Sequence, residues 1–74
     1  MLLYMSETIN FGKALKQARE EKGLTRVNLA SLLKVQYYNI SDWETGRSQP
    51  KYEILIQICK ALDTTPNELL GFDL

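Results

Sequence analysis

Apolar residues recur along this chain at helical spacing, in runs cut by short turn signals. The two-residue alternation of a half-buried strand appears nowhere. Phe11, Ala14, Leu15 and Ala18 share one face of a helix predicted from about Asn10 to Lys22. Thr8 or Asn10 can cap its start, and Gly23 supplies a left-handed stop. Lys13, Lys16 and Lys22 fall mostly off that face. Thr25 caps a second, short helix over Arg26–Leu33. Its Leu29, Ala30 and Leu33 point inward, and Ala30 is small enough for a neighbouring helix to cross closely. Lys34 and Val35 make a turn. A third helix from about Gln36 to Thr45 buries Ile40 and Trp43 and ends at Gly46. Pro50 opens a fourth, Lys51 to about Leu62, with Tyr52, Leu55, Ile58, Cys59 and Leu62 on one side. Thr65-Pro66-Asn67-Glu68 joins a capping box to a proline at the first helical position, starting a short fifth helix through Leu69 and Leu70. Five helices with short connections predict a compact all-α domain.

Composition narrows the chemistry. Seventy-four residues make one domain, near the lower size at which a chain closes a core without staples. A single Cys59 excludes an internal disulfide, and the absence of His removes the usual zinc spacings and the commonest general base. Four isolated glycines make no phosphate-cradling loop. The chain is therefore expected not to be an enzyme, to need no cofactor, and to show no evident small-molecule ligand. Met1 to Met5 is apolar but too short for a signal segment, and no run approaches the roughly 20 apolar residues of a membrane span. A cytoplasmic protein is the simplest expectation.

Net charge is zero, yet the charges are not evenly spread. Residues 10–51 hold eight Lys or Arg against four Asp or Glu, a balance of +4. Residues 52–74 hold one against four, a balance of −3, and Glu7 supplies the remaining −1. The second and third helices lie in the basic part.

Fixed spacings sharpen this picture. Leu24-Thr25, Leu29-Ala30, Leu33, Val35, Ile40-Ser41, Trp43-Glu44, Gly46-Arg47-Ser48 and Pro50 together resemble the helix-turn-helix of Cro and the phage repressors. This family is often called the xenobiotic-response-element regulators. The likeness continues upstream through Phe11-Gly12-Lys13, Leu15, Arg19 and Lys22-Gly23. Downstream it runs through Leu55, Ile58, Leu62 and Thr65 to Leu70, so about 60 residues take part. The resemblance implies a five-helix lambda-repressor-like domain over residues 10–70, between an N-terminal arm (1–9) and a tail (71–74), with the motif at 26–45. It implies a sequence-specific, repressor-like regulator of transcription. Its partner would be double-stranded DNA, bound by a homodimer with the third helix in the major groove.

Carried over residue by residue, Gln36, Tyr37, Tyr38 and Asp42 fall at base-facing positions. Arg26, Asn39, Thr45, Arg47 and Lys51 fall at phosphate-facing ones. Arg19 and Glu44 fall on an internal ion pair. Two departures stand out: Lys34 replaces the usual turn glycine, at a cost of roughly 1 kcal/mol in a left-handed conformation, and Arg26 replaces a usual glutamine.

The residues carry their own chemistry beside this likeness. Arg26 opens a helix, where backbone N–H groups already favour a phosphate. Tyr37 and Tyr38 diverge by about 100°, so at least one is exposed, able to meet a thymine methyl, a base edge or a phosphate, or to serve a protein interface. Gln36 can read adenine or cap its helix. Asn39 can read adenine or bind phosphate. Asp42 can accept from cytosine N4, repel wrong sequences or neutralise Arg47. Trp43 and Cys59 read as core. Ile54 and Ile56 lie off the fourth helix's stripe and, with Leu2, Leu3 and Tyr4, suggest a self-associating surface. A rival reading keeps the fold and drops the DNA: a protein-interaction module, consistent with zero net charge, Asp42 and the tyrosine pair.

Overall fold

The computed structural model describes residues 11–71. The apolar arm from Met1 to Met5 and the capping candidates Thr8 and Asn10 lie outside them. Five helices and no strand occur among the described residues: α1 (Phe11–Glu21), α2 (Arg26–Leu33), α3 (Tyr37–Thr45), α4 (Tyr52–Leu62) and α5 (Pro66–Leu70). Each contributes one fully buried aliphatic side chain: Leu15, Leu29, Ile40, Ile58 and Leu69. Burying each is worth roughly 1.5–3 kcal/mol, and Phe11, Trp43 and Leu62 enlarge the same core. α1 lies between α3 and α5, while α2 packs on α3 and α4.

The helix ends follow the punctuation. α1 closes with Leu24 N–H donating to the Arg19 carbonyl (3.1 Å) and Gly23 N–H to that of Glu20 (2.9 Å), around Gly23 at φ 72°. Thr25 and Asn28 cap α2 reciprocally, as Thr65 and Glu68 cap α5, where Pro66 holds the first turn. Lys34 takes the left-handed turn at φ 59°, as anticipated. Asp63 does the same at the end of α4, with φ 56°, in a place where glycine is the usual solution.

Three expectations need correction. Gln36 and Lys51 are the capping residues of α3 and α4 rather than their first helical positions. Tyr52 is 74% exposed although its angle suits the stripe of α4. It begins that helix, one turn beyond Leu55, which is itself only partly buried at the edge of the core. Ile54, expected off the stripe, packs against the core because it stands four residues from Ile58. No helix among the described residues is long and apolar enough to cross a membrane.

Candidate nucleic-acid interface

α2, the turn and α3 form one rigid unit. Val35 N–H donates to the Ala30 carbonyl at 3.0 Å and Lys34 N–H to that of Ser31 at 3.2 Å, folding the chain back at the end of α2. Leu29, Ala30 and Leu33 of α2 and Ile40 and Trp43 of α3 are all buried in the common core. The outward side of α3 is thereby left over. Gln36, Tyr37 (49% exposed) and Tyr38 (61%) stand at its first turn, with Asn39 and Asp42 partly covered further along. Gln36 makes no side-chain capping hydrogen bond, so its amide is not engaged at the start of α3.

A buried carboxylate locks this unit to α1. Arg19 Nε lies 2.6 Å from Glu44 Oε2 and Nη2 lies 3.1 Å from Oε1, while Nη1 donates to the Leu24 carbonyl at 2.8 Å. The Glu44 side chain is 1% exposed. The expected pair is therefore present, in the bidentate geometry that makes arginine–carboxylate contacts strong. Gly12 allows the approach: a Cβ there would run into the Glu44 carbonyl and sit 2.9 Å from that of Trp43.

Glu44 also takes a second arginine. Arg26 Nε reaches Glu44 Oε1 at 3.0 Å, leaving the Arg26 side chain 30% exposed. Glu44, and after it the Tyr37 hydroxyl, raise the Arg26 pKa above its ordinary value. Two arginines on one carboxylate leave a unit of positive charge at the N-terminus of α2, where backbone N–H groups add to it. Arg26, expected from the sequence to meet a phosphate, is anchored on Glu44 in the fold.

Three further cations lie near the C-terminal end of α3 or in the segment after it. Arg47, 78% exposed, is only 3.9 Å from Asp42 Oδ1, a loose contact that partly neutralises the carboxylate. Lys51 is exposed at the start of α4. Thr45 Oγ1 donates to the Ser41 carbonyl at 2.9 Å, so its proton is used within α3 and only its lone pairs face outward. Lys13 and Gln49, absent from the sequence-based site, line a cleft of about 170 Å³ together with Thr45 and Gly46. The signal for Lys13 lay beside it: Gly12 marks where α1 touches α3. No group of three or more His, Cys, Asp or Glu that could hold a metal occurs among the described residues.

Residues 12–71 match the family model for the helix-turn-helix domain. The chain belongs to the helix-turn-helix domain family. The helix-turn-helix domain here is of the Cro and phage-repressor type. It superimposes on the P22 c2 repressor, solved in complex with a synthetic operator, with a TM-score of 0.80 and 28% identity, covering 85% of this chain and 96% of that one. Among curated relatives, multiprotein-bridging factor 1 of Debaryomyces hansenii is 41% identical over 54 residues, 73% of this chain and 36% of the relative. The HTH-type transcriptional activator BcrR of Enterococcus faecalis is 40% identical over 63 residues, 85% of this chain and 31% of the relative. The helix-turn-helix domain thus spans about a third of the length of these relatives.

Proposed function

We propose that the domain formed by residues 10–70 binds double-stranded DNA sequence-specifically and regulates transcription, repressor-like, in the cytoplasm. α3 enters the major groove, Gln36, Tyr37, Tyr38 and Asp42 meet base edges, and Arg26, Asn39, Thr45, Arg47 and Lys51 meet phosphates, joined by Lys13. One observation carries the reading. The exposed polar and aromatic side of α3 is held rigidly by a buried ion pair and bordered by cations, while its own groove-facing positions carry none. That division suits phosphates for positioning and bases for choice. A homodimer would set two such helices about 34 Å apart on a two-fold site. Tyr52 and Ile56, four residues apart and exposed on α4, support self-association.

Anisotropy with mixed-sequence and then selected duplexes across a salt series tests this. Binding should weaken steeply with salt, with the slope reduced by about one in Arg47→Ala. Indifference to every duplex at low salt, in a folded chain, refutes it. The second reading, a protein-interaction module of the same fold, has its support in the exposed Val27 and Leu32 of α2. Neither residue borders the reading side of α3 in sequence.

A further inference from the structure

We propose that this interface reads thymine by its C5 methyl group, through Tyr37 and Tyr38, so that operator half-sites are thymine-rich beneath the first turn of α3. The inference rests on the DNA-binding reading above and names the base chemistry that reading would select.

Exclusion comes first. Guanine presents two acceptors, O6 and N7, and is read chiefly by the donor fork of arginine or by lysine. From Gln36 to Thr45 there is no Lys or Arg. Before it, Lys34 stands in the turn two residues ahead of the cap Gln36 and Arg26 is tied to Glu44 at 3.0 Å; after it, Arg47 lies beyond the left-handed Gly46 that ends the helix. Asp42 adds a carboxylate, which repels guanine's two acceptors and suits the amino groups of cytosine or adenine. The reading side of α3 is thus built against guanine at the positions it covers.

What remains is aromatic. Tyr37 and Tyr38 occupy the first two positions of α3 and are 49% and 61% exposed, because Ile40 and Trp43 already fill the core beneath them. Two neighbouring rings in water leave apolar surface that only a partner can cover. The one apolar group on the floor of the major groove is the thymine methyl. Consecutive helical positions diverge by about 100°, so the rings splay and cover neighbouring base pairs instead of stacking on each other. Gln36 beside them can hold the adenine across the pair in bidentate fashion. Side chains for both halves of an A·T pair therefore sit on one helical turn.

The full chain is first used to select duplexes from a random pool. Each thymine of the selected site is then replaced by deoxyuridine, which deletes the methyl and leaves every hydrogen-bonding group. A buried group of this size is worth about 0.8 kcal/mol, so each critical methyl should carry about a fourfold loss in affinity, and a pair about 15-fold. In Tyr38→Ala the penalty at its thymine should collapse toward onefold, while Tyr38→Phe keeps it. Both side chains are exposed, and circular dichroism verifies that the variants fold. Less than a twofold loss at every thymine, or an undiminished loss in both Tyr37→Ala and Tyr38→Ala, overturns the methyl-reading proposal and leaves DNA binding intact. Failure to select any duplex overturns both.

Discussion

Removing Glu44 should do far more harm than removing Arg26, the second arginine it binds. Its carboxylate is buried and takes Arg19 at 2.6 and 3.1 Å and Arg26 at 3.0 Å. In Glu44→Ala, the buried Arg19 keeps its charge and only the Leu24 carbonyl as partner. Such an uncompensated charge costs about 3–5 kcal/mol, out of a total stability of about 4–11 kcal/mol for a chain of this length. Arg26→Ala leaves the carboxylate satisfied by Arg19 and should cost about 1 kcal/mol or less, since Arg26 is partly open to water. The double variant Arg19→Met, Glu44→Leu removes both buried charges and should regain most of the loss, because well-packed apolar replacements of buried pairs are often neutral. Urea unfolding followed by Trp43 fluorescence reads all three; Trp43 is the only tryptophan and is buried one residue from Glu44. A loss below about 1 kcal/mol in Glu44→Ala would show that water relieves Arg19, and the pair would no longer count as the tie between α1 and α3.

Three further outcomes are expected. Lys34→Gly should gain about 0.5–1 kcal/mol in urea unfolding, since φ 59° strains a side-chain-bearing residue; no gain would mean that Lys34 makes a compensating contact. Gly12→Ala should lose about 1–3 kcal/mol by forcing α1 off the Glu44 carbonyl, with a lower thermal midpoint as the readout. Glu68 is held below its ordinary 4.5 by hydrogen bonds from the Thr64 hydroxyl and then the Thr65 backbone N–H. A depressed carboxylate contributes stability above its unfolded pKa and loses it as pH falls through the folded one. The stability difference between the native chain and Glu68→Gln should thus be present at pH 6–7 and vanish on acidification well below 4.5; a difference that persists there would contradict the capping account.

The core and the helix ends were legible because each answers to a local rule. Leu15, Leu29, Ile40 and Trp43 follow the 3.6-residue period, and Thr25, Gly46 and Thr65-Pro66 answer to the unsatisfied backbone groups at helix termini. What escaped depended on where helices stop or cross. Tyr52 has the right angle and no core left to meet. Asp63 adopts a left-handed conformation that its residue type does not announce. The tie of Arg26 to Glu44 spans 18 residues, and Lys13 meets the end of α3 only through the crossing at Gly12. The pairing of Arg19 with Glu44 was accessible through family likeness, not through spacing. Its second arginine was visible by neither route.

On the DNA-binding reading proposed above, that second arginine bears on how a chain of zero net charge would discriminate among DNA sequences. Arg19 is consumed inside the fold and Arg26 is half-neutralised on Glu44, which leaves Lys13, Arg47 and Lys51 as the other cations proposed to meet phosphates. If each neutralises one phosphate, affinity should fall with a logarithmic salt slope of about −3 per protomer. This is a weak sequence-independent attraction for a major-groove protein. Weak attraction to any duplex would raise the share of binding carried by the proposed base contacts Gln36, Tyr37, Tyr38 and Asp42. It also makes a second protomer on the site more valuable, since pairing two modest contacts multiplies affinity without adding charge. Adding lysines to the reading side of α3 should therefore tighten binding to all duplexes and narrow the gap between the selected site and the rest. On that reading, the low charge of the helix is part of how it would choose.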